Sequence, residues 1–181
     1  MLAMFVLKSG TTEAQEFNLN NQESSLTVAG TSSLHDWHVT AENKSGKITF
    51  KNLEACLIES CNLVVVAESL KSGKSSMDKN TYKALNTDDY KNITFQLVEV
   101  KEVVSKGDGK FSVKSIGDLT ITGIKNRISL DFTVGTRGGK INLVGEKKIK
   151  MTDFEIDPPT ALFGTITTGD DLTIKFTTIF K

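Results

Sequence analysis

The chain has 181 residues, a length that suits one domain able to bury roughly 70% of the surface its unfolded form exposes. Lys plus Arg number 22 and Asp plus Glu number 22, and this balance excludes the strong field expected of a nucleic-acid binder or of a protein drawn to anionic membranes. With only 2 prolines against 14 glycines, and with Thr, Val, Ile and Phe common, the composition favours strands joined by glycine turns; no apolar run approaches the ~18 residues a membrane-spanning helix needs.

The N-terminal stretch MLAMFVLKSGTTEAQEF begins with an apolar run and passes through Ser9, Gly10 and Thr11 to Thr12-Glu13-Ala14, a small-x-small pattern of the kind signal peptidases cut after. Residues 1–16 are therefore expected to be the remnant of an export signal peptide or a disordered N-terminus. The mature chain then starts near Gln15 to Phe17, and residues 17–181 form a single domain.

From Glu23 onward the dominant signal is period-two alternation, the mark of strands with one covered face. Leu26, Val28 and Gly30 share a face, as do Trp37, Val39 and Ala41, and then Ile48 and Phe50. After the apolar run Leu63 to Ala67, the segment NITFQLVEVKEV aligns Ile93, Phe95 and Leu97 before its phase slips to Val98 and Val100, which predicts a β-bulge. Phe111 and Val113, Leu119 and Ile121, Ile128 to Val134, Ile141 and Leu143, and Leu172 to Phe176 repeat the theme. The stretches KGDG, TGIKN, TRGGK and TTGDD between them read as glycine turns of hairpin length.

Two interruptions look helical. SGKSSMDKNTYKALNT carries a Ser75-x-x-Asp78 capping box, with Met77, Tyr82 and Leu85 spaced to cover one face and Asn86 as a stop. DPPTALFG has Asp157 as a cap and Pro158 to begin a single turn before Phe163-Gly164. Neither covers a sheet, so an antiparallel meander of this kind must hide its apolar face against itself. That leaves a filled sandwich or a closed barrel with room for a small apolar ligand.

The segment GTSSLHDWHVTAE holds both histidines and the only tryptophan. On a strand His35 and His38 point to opposite faces, so they do not chelate one ion, and no third histidine exists to complete a zinc set. No GxSxG elbow accompanies a serine nucleophile. Trp37 is in phase with Val39 and faces inward, while Asp36 and His38 face out. Cys56 and Cys61 flank LIES between two strands and read either as a hairpin-end disulfide or as two buried thiols. GEKKIK reads as a solvated strand face rather than an anion site. No metal site, phosphate loop or paired-carboxylate signature stands out, and no cofactor is expected.

The blocks SLHDW, SMDKNTYKALNTDDYKNITFQL, GDLTITGIKNRISLDFTV and MTDFEIDPPTALFGTITTGDDLTIKF resemble, in order, those of the YceI-like family over nearly all of residues 17–181. The resemblance implies an exported bacterial protein, periplasmic or secreted. It also implies an all-β fold, an antiparallel up-and-down lipocalin-like β-barrel of about eight strands with one short helix near residues 75–86. In that family the lumen holds a long apolar isoprenoid, a polyprenyl chain or the tail of an isoprenoid quinone. The chain departs from the family pattern at Lys125, Asn126 and Arg127 and at Tyr90-Lys91, which fall at turns or strand entries.

The expected partner is thus an apolar isoprenoid lipid and not a nucleic acid, held by a monomer or homodimer with no transmembrane segment and no enzymatic role. Lumen residues are expected to be Trp37, Val39, Phe50, Phe95, Leu97, Leu119, Ile121, Leu130, Phe132 and Phe163. His35, Asp36, Tyr82 and Asp153 are expected, from their places in the sequence, near a polar head group at the mouth. An enzyme acting on a lipid in the lumen, and a barrel plugged by its own side chains that binds nothing, remain the alternatives.

Overall fold

The computed structural model describes residues 14–161 and 164–181. Most of the expected signal remnant, and Phe163, lie outside the described residues. Regular pairing begins at Gln15. In chain order the strands are β1 Gln15–Asn18, β2 Ser25–Ser32, β3 Trp37–Ala41, β4 Lys44–Asn52, β5 Leu57–Val66 and β6 Leu70–Lys71. The helix α1 Ser75–Ala84 follows, then β7 Asn92–Ser105, β8 Lys110–Ile121, β9 Ile124–Arg137, β10 Lys140–Lys150, β11 Thr160–Ala161 and β12 Ile166–Phe180.

All pairings are antiparallel, and the register shows that the 12 strands of the sheet form fewer continuous rows. The pairing Gln15↔Phe50 to Asn18↔Lys47 resumes, offset by two residues, as Thr27↔Thr40 to Gly30↔Trp37. Likewise Lys44↔Val65 resumes beyond a short interruption as Ala41↔Leu70. So β1 with β2, β3 with β4, and β5 with β6 are each one row broken once. Joined to β7, β8, β9, β10 and β12 they make eight rows. The ring closes because β12 pairs with β2, Ile179 near its end bonds to Asn20, and Lys181 just after it bonds to Asn18 at the end of β1. The all-β up-and-down barrel expected from the sequence is the observed fold. Its row count matches the expected eight, and the larger strand count reflects the breaks.

The breaks are braced by a buried cation. Lys44, 5% exposed, donates from Nζ to Ala41 O at 3.0 Å, Asn21 O at 3.3 Å and Asn21 Oδ1 at 3.1 Å. Its backbone N–H also donates to Asn21 Oδ1 at 3.0 Å. One side chain therefore ties the break in the first row to the break in the second, satisfying backbone groups that an interrupted ladder leaves open. Burial holds its pKa below the usual lysine value.

Several local expectations are corrected. TTGDD is not a turn: it lies inside β12, where the register against β2 shifts between Thr168 and Leu172. The expected turn from Asp157 and Pro158 does not form; residues 156–159 have no regular structure and Thr160–Ala161 pair with Ile166 and Thr167. The short helical turn falls earlier, at Thr152–Phe154. In α1 the capping position is Lys74 and no side chain caps it. Asp78 instead accepts from Ser72 N at 2.8 Å and Ser72 Oγ at 2.6 Å, pinning the loop before the helix, and these bonds hold its carboxyl below the usual range. The bulge expected in β7 occurs between Leu97 and Glu99, and a second follows between Val100 and Glu102. Val98 consequently faces solvent at 45% exposure.

The hairpin turns Thr122-Gly123 and Gly138-Gly139 both have positive φ at each position, the conformation that tight two-residue connections between twisted strands require. The barrel has a base, formed by the turns at 53–56, 106–109 and 138–139, and a mouth. At the mouth lie the loop 33–36, α1, the turn Thr122-Gly123 and residues 151–161 and 164–165. The base is solid: Ile48, Phe50, Cys56, Phe111, Ile141 and Phe180 are part of one buried cluster, with Phe17 set edge-on against Phe50 at 6.1 Å.

Replacing Lys44 by Met leaves the oxygens of Asn21 and Ala41 without their donor, and is expected to cost about 1–3 kcal/mol. Denaturant unfolding of the purified variant checks this, and a variant as stable as the parent would contradict the bracing role.

Candidate functional site

Above the solid base the ring is hollow. A cavity of about 400 Å³ runs from the floor at Cys61, Phe132, Leu143 and Phe180 to the rim at Leu34, His35, Met77 and Asn80. Alternation explains its character, because each row turns every second residue inward and those residues are almost all aliphatic or aromatic. Polar atoms enter mainly at the rim, from Ser32, His35, Lys74, Ser76, Asn80 and Thr160, and at Lys147 in the wall.

Aromatic rings would fill an eight-row barrel if they projected to its axis. Here they do not. Gly30 lies directly opposite Trp37, and a Cβ on Gly30 would sit 2.4 Å from the indole ring. A Cβ on Gly117 would meet the Phe95 ring at 2.3 Å, and one on Gly145 the Phe176 ring at 2.7 Å. Each ring thus lies against a glycine of the neighbouring row, covering bare backbone as paired aromatics do for strand glycines. The indole is further held by its Nε1–H, which donates to Thr31 O at 3.0 Å. Glycine at these inward positions keeps three large side chains against the wall and leaves the axis open.

Of the expected lumen residues, the cavity brings together Trp37 and Val39 of β3, Phe95 and Leu97 of β7, Leu119 and Ile121 of β8, and Leu130 and Phe132 of β9. Phe50 is corrected: it faces inward but too near the base, 0% exposed beneath the floor among the packed aromatics, and does not line the cavity. Of the expected head-group residues only His35 reaches the cavity, with its Nδ1 2.7 Å from Asp36 O. Asp36 is exposed outside it. The Tyr82 hydroxyl turns away to Glu68 O at 2.8 Å, beside the Lys71 ammonium. Asp153 accepts from Lys150 N at 3.3 Å on the outside of the segment 151–156. Proximity in sequence to the mouth does not reveal side-chain direction.

Wall residues not singled out beforehand include Leu63, Ile128, Ile174, Phe176 and Lys147. The signal for Ile128, Ile174 and Phe176 was already present in the alternation. Lys147 also had one: in GEKKIK it shares the inward phase with Ile149 and Gly145, so the segment is not uniformly a solvated face.

Cys56 and Cys61 are free thiols, both buried. The expected alternative of a bridge fails on geometry. Cys56 sits in the turn before β5 and Cys61 is along the same strand, so the extended backbone between them, at about 3.3 Å per residue, places them beyond the ~7 Å reach of a disulfide. Burial pushes the Cys56 thiol up to about 11 and the Cys61 thiol up to about 12. Among the described residues no group of three or more His, Cys, Asp or Glu side chains is placed to hold a metal ion, and no helix is long and apolar enough to cross a membrane.

The family model of the YceI-like domain matches residues 17–180. The chain belongs to the YceI-like family. Solved structures similar to this YceI-like chain include BcnA of Burkholderia cenocepacia, with 18% identity, a TM-score of 0.71, and coverage of 89% of this chain and 98% of that one. A polyisoprenoid binding domain from Saccharophagus degradans, implicated in plant cell wall breakdown, is 14% identical with a TM-score of 0.72 and coverage of 91% and 97%. The YceI protein of Campylobacter jejuni is 16% identical with a TM-score of 0.60 and coverage of 99% and 90%. At these identities the likeness is one of fold. No curated protein matches the chain.

The raised thiol values give a pH dependence of known sign. Above pH 9.0 the unfolded chain loses its thiol protons while the folded chain keeps them, so stability held below pH 9.0 should fall as pH rises toward 11 and 12. At pH 8 both thiols should resist a maleimide in the folded protein and react together on unfolding; rapid labelling of either in the native state would contradict their placement.

Proposed function

We propose that this protein is an exported carrier that holds one long apolar chain, a polyprenyl group or the tail of an isoprenoid quinone, in the upper half of its barrel for storage or transport. The observation that carries the reading is the open axis: three aromatic rings are laid on glycines instead of across a space that would otherwise be plugged. The polyisoprenoid-binding description of the Saccharophagus degradans neighbour supports the same class of ligand.

An apolar wall of this kind recognises hydrocarbon by hiding it. At about 25 cal/mol per Å², each ~100 Å² of isoprenoid surface removed from water is stabilised by roughly 2.5 kcal/mol before the cost of ordering the chain. Such a wall sets a cross-section and a length but reads little else, so the specificity for chain type is broad. Binding rather than catalysis is supported by the placement of charge. The carboxylates with shifted pKa values, Glu23, Asp78, Glu102, Asp118 and Asp170, pair with groups on the outer surface or in loops rather than in the lumen. The lumen thiol of Cys61 is held protonated, and a thiol in that state is a poor nucleophile. Export to the periplasm or medium agrees with the small-x-small pattern ending at Ala14, and N-terminal sequencing of secreted material tests it.

Mass spectrometry of an organic extract of the purified protein should reveal an isoprenoid lipid. Phe132→Asp is expected to abolish its co-purification. Gly30→Ala pushes the Trp37 ring toward the axis and should lower retained lipid several-fold while the barrel stays folded by circular dichroism. If Phe132→Asp does not fold, Gly30→Ala decides; full lipid retention in folded Gly30→Ala would overturn the proposed use of the space.

A further inference from the structure

The barrel wall contains a seam. β9 and β10 pair from Lys140↔Arg137 to Gly145↔Phe132 and no further. Above that point β9 continues to Ile124, bonded to β8 alone, and β10 continues to Lys150, bonded to β12 alone. Their facing edges carry no ladder hydrogen bonds to each other. At the top the gap is spanned from outside the ladder: Thr122 Oγ1 donates to Phe154 O at 2.7 Å and Asn126 Nδ2 to Asp153 O at 2.5 Å. Phe154, 1% exposed, packs into the wedge. Between this plug and the last ladder pair, one side-chain hydrogen bond among the described residues crosses the seam, Lys147 Nζ to Ser129 Oγ at 3.2 Å.

Lys147 belongs to the inward phase of β10 and lines the cavity, yet its ammonium ends on Ser129, a residue of the outward phase of β9. An ammonium in an apolar lumen is costly, and the seam gives it a way out. Among the described residues no carboxylate lies within ion-pair distance of Lys147, although many surface lysines of this chain have such a partner. The cavity therefore has a cation beside the unladdered stretch of its wall, held by one hydrogen bond to a neutral acceptor.

We infer that the seam between β9 and β10 receives the polar end of the guest, and that Lys147 selects an anionic head, a phosphate ester in the first instance. The inference rests on the carrier reading and specifies its ligand. A guest with an apolar chain and a charged end must place that end where water reaches, and the upper cavity offers the mouth and the seam. Lys147 presents ammonium protons at the wall itself. Along the seam the two strand edges are not laddered to each other, and a bond from the ammonium to an ionised phosphate oxygen replaces the weaker contact to the neutral Ser129 hydroxyl. Lys74, the other cation lining the cavity, stands at the outer rim before α1.

Displacement of a bound apolar dye by a C20 isoprenoid alcohol and by its monophosphate ester tests this. The wild type should bind the phosphate at least about tenfold more tightly than the alcohol. Lys147→Met should bring the ratio near one, and Lys147→Arg should restore it. Inorganic phosphate alone should not displace the dye. A ratio that survives Lys147→Met, a ratio that falls with Lys74→Met instead, or displacement by free phosphate overturns the inference. Binding of both probes with equal affinity by the wild type removes this inference and leaves the carrier reading standing, whereas binding of neither removes the carrier reading itself.

Discussion

A ring of eight strands is just wide enough for its own side chains to fill. Whether such a ring is solid or hollow is settled, level by level, by the size and direction of the inward residues. In this protein the two outcomes share one barrel. At the base, Phe50, Phe111 and Phe180 meet with Ile48 and Ile141 and leave no space. Above the floor the inward residues are mostly Val, Leu and Ile, and the rings of Trp37, Phe95 and Phe176 lie against Gly30, Gly117 and Gly145. The packed base supplies much of the stability that the hollow half forgoes, since an empty apolar space forfeits contact energy along its lining. Stability and capacity are thereby separated along the axis.

The rows do not run unbroken, and the breaks have structural consequences. The interruptions between β1 and β2 and between β3 and β4 lie side by side at the level where Lys44 is buried, so one cation satisfies oxygens on both. The seam between β9 and β10 is a different kind of interruption, because no bulge restores the pairing and the strands stay apart to the top. Lys147 reaches Ser129 across it, and the segment 151–156 is docked at its top.

Much of this was legible in the sequence. The inward phase of nearly every row was readable from alternation, because a slip of one residue would turn the whole apolar set to solvent. Leu26 to Gly30, Ile128 to Val134 and Leu172 to Phe176 illustrate it. Closure into a barrel was not readable from periodicity, which serves a sandwich equally well, and entered through the resemblance of the blocks from SLHDW to the C-terminus. The level of each residue along the axis was also hidden. Phe50 and Phe132 have the same phase and the same chemistry, but pairing register places one in the packed base and the other at the floor of the cavity. TTGDD looked like a turn because Gly and Asp are turn formers, and in the fold it is absorbed as an irregularity within β12, flanked by pairing to β2 at Thr168 and Leu172 and paired to β10 from Asp171. The mouth was least legible, because Asp36, Tyr82 and Asp153 point where local hydrogen bonds take them.

The central claim is that the upper half of the barrel is an open apolar space and the lower half is not. Diffraction from crystals held under xenon pressure tests it directly, since xenon enters dry apolar cavities and marks them. The account predicts xenon between Trp37, Ile128 and Phe176, with none among Ile48, Phe50 and Phe111. Electron density showing the upper half filled by inward-turned side chains, with no xenon there, would contradict it.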